Sequence, residues 1–243
     1  TTEKPDSTTI DADPTQDSPL GFGTYDVSET TVPYVSPAGV PVPGFTINSD
    51  DEGFVLALPF PFVFYGITYS EVVASTNGFL TFGAPPGGLA SYSNDCPFDG
   101  TTPDALIAVF WDDLYAPDAA PLGAVTSLAE GVAPDRRFTV EWKNLDAFYQ
   151  AGSGNNSFGQ GLRVTQKVTL YESGAIEMHY GPRTAPSQDR DCGLARHAGC
   201  SATVGLEAPG GTTIKAIQCG TMAGPGPGYQ PIAEGRLLRF APL

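Results

Sequence analysis

Positive charge is scarce in this chain. Of 243 residues only 12 are Lys or Arg, against 27 Asp or Glu, and the net charge is −15. Clustered cations are what bring a protein to a polyanion, so nucleic acid is excluded as a partner. Charge of either sign is low: 16% of residues are charged, where soluble domains usually carry roughly 25%. The surface therefore rests on Gly, Ser, Thr, Asn and Pro. Histidine is rarer still, with only His179 and His197. None of the four cysteines forms a C-x-x-C pair, so a structural zinc site is excluded as well. No apolar run approaches the roughly 18 residues of a membrane span. A sustained 3.6-residue hydrophobic period is also missing; only Leu122 to Gly131 admits one helical turn.

What the chain has in quantity is turn formers. Gly (29) and Pro (23) are spread along its whole length, which implies many tight turns and favours strands over helices. "FVLALPFPFVFYG" (Phe54 to Gly66) alternates large apolar residues, with Pro59 and Pro61 marking an edge or a bulge. "YSEVVASTNGFLTFG" sets Asn77-Gly78 between two β-prone runs, a strong hairpin signal. "RRFTVEWKNLDAF" alternates Phe138, Val140 and Trp142 with polar residues, and "LRVTQKVTLYESGAIEMHYG" reads as a hairpin turning at Glu172, Ser173 and Gly174. These patterns specify an all-β chain, a mainly antiparallel, jelly-roll-like β-sandwich of ten or more strands with long loops. The opening "TTEKPDSTTIDADPTQDSP" is polar and acidic, so residues 1–20 are expected to be a flexible leader, beside a removed signal or a lipid-anchored terminus. Residues 21–243 are expected to form one sandwich domain.

Cys96, Cys192, Cys200 and Cys219 lie in turn-rich segments. An even number in such surroundings points to two disulfides and an oxidising compartment, hence to a secreted or cell-surface protein. Cys192 with Cys200 would close a short loop and leave Cys96 with Cys219, one of the three connectivities that four cysteines allow.

"LPFPFVFYGITYSEVVASTNGFLTFG", "AVFWDDL", "APDRRFTVEWKN", "QKVTLYESGAIEMHYG" and "SATVGLE" follow one another from about Phe54 to Glu207. In that order they resemble a β-sandwich module of secreted bacterial proteins, itself similar to the extracellular nidogen-homology domain. The Phe-Trp-x-Asp block of that domain corresponds to Phe110, Trp111 and Asp113. The resemblance implies a role in extracellular matrix, adhesion or surface assembly, with a protein partner or a second copy of the chain, and no catalytic activity. It does not extend to the cysteine loop or to "MAGPGPGYQP".

The run "ALIAVFW" ends in Asp112-Asp113, with Asp118 close behind. Aspartates at a strand exit ordinarily accept hydrogen bonds from loop amides. The alternative is a calcium site, since hard cations are held by carboxylates and loop carbonyls. The D-x-D-x-D-G spacing of a calcium loop is missing, and no cofactor is required by any other motif. Asn48, Asp50, Asp51 and Glu52 form a second acidic cluster open to the same two readings. A nucleophile elbow is not present, and "GSG" at Gly152 to Gly154 lies in a long polar loop beside the sequon Asn155-Asn156-Ser157. A secreted hydrolase built on paired carboxylates stands as a distant alternative. A calcium-assisted carbohydrate-binding domain stands nearer, because the aromatics of "FPFVFYGITY" outnumber what one strand face can bury.

Overall fold

Residues 24–83, 91–94, 104–117, 122–147, 149–150, 156–157, 162–184, 198–221, 224–225 and 229–243 are described in the computed structural model. Their strands are β1 (Tyr25–Thr31), β2 (Val40–Pro41), β3 (Gly53–Phe64), β4 (Ile67–Ser75), β5 (Phe79–Thr81), β6 (Leu106–Trp111), β7 (Leu114–Tyr115), β8 (Ala124–Glu130) and β9 (Arg137–Ala147), then β10 (Tyr149–Gln150), β11 (Asn156–Ser157), β12 (Arg163–Tyr171), β13 (Ile176–Thr184), β14 (Thr203–Glu207), β15 (Ile214–Gln218), β16 (Gly220–Thr221), β17 (Gly224–Pro225) and β18 (Arg236–Pro242). The larger sheet runs β1-β18-β13-β12-β9-β8-β2, with β7 added beside β9, and the smaller runs β15-β14-β6-β5-β4-β3. Neighbours in both are antiparallel. The all-β sandwich expected from the turn signals is the fold found.

Side-chain alternation explains the layering. Along β3, Phe54, Leu56, Phe60, Phe62 and Phe64 are buried while Val55, Ala57, Pro59, Pro61 and Val63 face outward. The strand lies at the end of its sheet, with a register shift between Ala57 and Phe62, where the two prolines cannot donate to a ladder. Its hairpin to β4 closes through Tyr65 (φ 46°) and Gly66 (φ 79°), a pair of left-handed residues matched to strand twist. The inner faces of both sheets meet in one apolar core that includes Phe62, Phe64, Ile107, Val109, Val168 and Phe240. Fully burying one such side chain contributes about 1.5–3 kcal/mol. Two polar tips cross that core. Trp142 on β9 donates its indole N–H to the Ser75 carbonyl at 2.6 Å, and the Tyr180 hydroxyl on β13 donates to the Val109 carbonyl at 2.9 Å.

The unbroken apolar run of β6 has its cause in burial on both sides. Ile107 and Val109 face the sandwich core, whereas Leu106, Ala108 and Trp111 join Phe79 in a second cluster outside the smaller sheet. Trp111 meets Phe79 edge to face at 5.4 Å and donates its N–H to the Ser91 carbonyl at 2.8 Å. The aromatics of "FPFVFYGITY" go instead to the main core, where Phe60, Phe62, Phe64 and Tyr65 are buried and Tyr69 packs against them.

Two expectations need comment. Leu122 to Gly131, where one helical turn was admitted, contains strand β8 instead; its residues pair with β9 from Ala124↔Lys143 to Glu130↔Arg137, and ladder pairing overrides a weak local pattern. The hairpin at Asn77-Gly78 is present between β4 and β5 but is no solvent-exposed turn. Thr76 and Asn77 are buried, and the Gly78 carbonyl accepts from the Val109 and Phe110 amides at 3.1 and 2.9 Å. A Cβ on Gly78, at φ 79°, would sit 2.1 Å from the Phe110 carbonyl oxygen. Gly78→Ala is expected to lower unfolding stability by about 3 kcal/mol or more, from clash plus left-handed strain. Gly83→Ala, at φ 86° with open space around it, should cost only about 1 kcal/mol. Equal urea midpoints for the two variants would refute this account of the corner.

Candidate functional site

Two places gather polar groups that the fold alone does not need. The first is an acidic corner. Residues 46–52 form a loop whose backbone is laid against the segment after β6: the Asn48 amide donates to the Ala116 carbonyl at 2.8 Å, and the Ala116 amide to the Ser49 carbonyl at 3.0 Å. Asp50 bridges to Tyr115, and the Tyr115 hydroxyl donates to the Asn48 side-chain oxygen. Asn48 (φ 70°) and Asp51 (φ 48°) take the left-handed conformation that Asn and Asp tolerate best. The result brings carboxylate oxygens of Asp50, Asp51 and Asp113 within 4.8 Å of one another. Asn77 ties the group together, donating from its side-chain nitrogen to Asp51 at 2.8 Å and accepting from the Leu114 amide at 2.8 Å. Burial, and next the neighbouring Asp51 charge, push the Asp50 carboxyl above the usual carboxylate range, against a hydrogen bond from the Asp51 backbone.

The adjacent aspartates therefore part company. Asp112 is fully buried and accepts from the Asp113 amide at 3.0 Å and the Ser201 hydroxyl at 2.5 Å, so it closes the strand exit as a capping aspartate does. Asp113 turns to the corner. Asp118 lies outside the described residues, and the partners of Asp113 come from the second acidic cluster rather than from its own. Asn77 was legible only as a turn residue. Its long-range role carries no local signal.

The second place is a strap. Because β1 and β2 lie at opposite ends of the larger sheet, residues 32–39 cross its outer face from edge to edge. Glu141 on β9, almost fully buried, receives the Tyr34 hydroxyl at 2.7 Å and the Ser36 hydroxyl at 2.9 Å. Lys167 on β12 donates to the Val35 carbonyl at 2.6 Å and stands 4.8 Å over the Tyr34 ring. His179 on β13 donates Nε2–H to the Val32 carbonyl at 3.3 Å and packs its ring 4.9 Å from that of Tyr34. Gly181 leaves room for this ring, since a Cβ there would come within 2.8 Å of it. Burial pushes the Tyr34 phenol up, with the Glu141 charge adding to the effect, and pulls the Lys167 ammonium down.

The chain matches the family described as NIDO related over residues 24–225. This chain belongs to the NIDO-related family. No curated protein and no solved structure matches it. Membership supports the nidogen-like resemblance and an extracellular setting for the module, and the match reaches beyond the Phe54 to Glu207 blocks at both ends. No helix among the described residues is long and apolar enough to cross a membrane.

Among the described residues of this NIDO-related chain no cysteine is free. Cys200 and Cys219 are held as disulfide cysteines, whereas Cys96 and Cys192, like His197 and Asn155, lie outside the described residues. The connectivity therefore stands as an expectation.

Burial, joined by the Lys167 charge, holds His179 below its ordinary pKa of about 6.5; the Val32 bond and Glu177 oppose this less strongly. The neutral ring belongs to the folded state, so its contribution is complete above the unfolded pKa and is lost as pH falls through the depressed value. The melting temperature should fall from about pH 7 to pH 5, with a shallower slope in His179→Asn. Superimposable pH profiles would remove His179 from the account of the strap.

Proposed function

We propose that this chain is a non-enzymatic extracellular module for adhesion or surface assembly, which docks a protein partner or a second copy of itself along β3. The observation that carries this reading is the open end of the smaller sheet. Strand β3 is twelve residues long and has β4 as its only sheet neighbour among the described residues. Its outward side chains include the exposed apolar pair Val55 and Val63, with exposed Ile67 at the start of β4. Edge strands invite added strands, and soluble proteins usually protect them. Here Pro59 and Pro61 interrupt the ladder midway but leave the two ends capable of pairing. The low charge of the surface, the absence of free cysteines among the described residues and the family's extracellular setting agree with a matrix or surface role. Residues 32–39 are engaged as the strap across the larger sheet.

A mass-resolved sizing experiment over a range of concentrations tests the reading. Intact protein should show concentration-dependent association that Val55→Lys/Val63→Lys abolishes with little change in melting temperature. A strictly monomeric chain whose partner capture is indifferent to the double variant would overturn it.

Calcium is a second reading, favoured by the convergence of Asp50, Asp51 and Asp113. Three carboxylates, with nearby loop carbonyls, are the donor chemistry of a hard cation, and burial, with the Asp51 charge next, raises the Asp50 carboxyl as a cation there would oppose. In this reading calcium stiffens the 46–52 loop and the exit of β6, and any contact made there becomes calcium-dependent. Added calcium should raise the melting temperature, by about 2–4 °C for each kcal/mol of binding in a chain of this size. The rise should vanish with chelator and in Asp50→Asn/Asp113→Asn. An equal rise in the double variant would place the ion elsewhere, and no rise would leave the corner as a plain loop junction.

A further inference from the structure

We propose that the cleft between the strap and the outer face of the larger sheet binds a neutral, hydroxyl-rich ligand, a short glycan. The cleft has a volume of about 380 Å³, within the range of small-molecule sites, and lies on the sheet opposite to β3. The strap supplies one wall through Val35, Pro37 and Ala38, and strands β8, β9, β12, β13 and β18 supply the floor.

The floor decides the chemistry. Two acids, Glu130 and Glu177, and two bases, Arg137 and Lys167, line it, so the cleft carries no net charge. Most of that charge is already neutralised internally. Arg137 pairs with Glu130 at 3.1 Å, and Glu177 receives both Arg239 and the Tyr171 hydroxyl. An anionic ligand would meet two carboxylates, and an apolar one would strip water from four charged groups without replacing its hydrogen bonds. A peptide strand would find no ladder to join, because the floor is a sheet face and not an edge.

A sugar hydroxyl both donates and accepts, and so do the groups that are left. Thr139 and Thr169 are buried side by side with their hydroxyls 3.0 Å apart. One O–H is spent in that mutual bond, leaving one donor and free acceptor capacity in the pair. The Lys167 ammonium spends one N–H on the strap carbonyl of Val35 and has two more to give. Leu128 on β8 and Leu237 on β18 flank these polar points on either side, and each offers carbon to the C–H face of a pyranose ring. Donors and acceptors over the central strands, with carbon at either flank, suit a polyol and not an ion or a lipid.

The test exposes the intact protein to a printed array of neutral and acidic glycans, then titrates the strongest neutral ligand by calorimetry. Two variants probe the cleft. Ala38→Trp fills it from an exposed position on the strap, and Thr139→Val/Thr169→Val removes the hydroxyl pair while keeping β-branched side chains. The expected result is retention of neutral glycans, with each variant weakening binding by about tenfold or more and with melting temperatures near that of the parent. Val55→Lys/Val63→Lys should bind glycan as the parent does, so that this site and assembly along β3 fail or stand separately. The inference is overturned if no neutral glycan binds, if only acidic glycans or peptides bind, or if neutral binding survives both variants.

Discussion

The close approach of the Thr76–Gly78 corner to β6 is the constraint on which the rest of the structure leans. Only a residue without a side chain permits it, because the Phe110 carbonyl occupies the space a Cβ would need. From this corner the Gly78 carbonyl fixes two amides of β6, and the Asn77 side chain fixes the amide of Leu114 beyond it. Just before it the Ser75 carbonyl receives Trp142 from the opposite sheet. One tight turn therefore sets the register of the smaller sheet, the seat of the inter-sheet tryptophan and the direction in which Asp112 and Asp113 leave their strand. The acidic corner inherits its geometry from this packing and has little freedom of its own.

How far the sequence announces all this depends on the range of the interaction concerned. Alternation over a dozen residues is local, and it places β3, β9, β12 and β13 correctly, together with the turn at Gly174 (φ 87°). Proline has a chemical consequence in any ladder, so the edge position of β3 could also be read from Pro59 and Pro61. The convergence of Asp50 and Asp51 with Asp113 is different, because it depends on a backbone bridge to Tyr115 that no local pattern encodes. Adjacent in sequence, Asp112 and Asp113 differ in surroundings: a buried carboxylate with a serine donor and an amide donor is one chemical object, and its neighbour in a three-acid cluster is another. The strap was equally hidden. "VPYVSPAG" shows turn formers, and nothing in it says that Tyr34 will meet His179.

The two sheets divide the labour. The smaller one is apolar on both sides over much of its area and offers an open edge. The larger carries ion pairs, hydroxyls and a strap on its outer face, and its apolar side is given wholly to the core. A surface made mostly of small polar residues and turns leaves few places where strong contacts can form. Edge and cleft are two of these, and they point away from each other.

The length of the strap carries one more consequence. From β1 to β2 there are six strand intervals, about 29 Å at roughly 4.8 Å each. Thr31 to Val40 is nine residue steps, about 30–32 Å when fully extended. The strap is therefore drawn close to its limit, and it gauges the width of the sheet it crosses. A ladder opened between β18 and β8 to admit a foreign strand would need a longer tether than the chain provides. Growth by strand insertion is closed to this sheet while the strap is fastened, and the smaller sheet is the one free to widen.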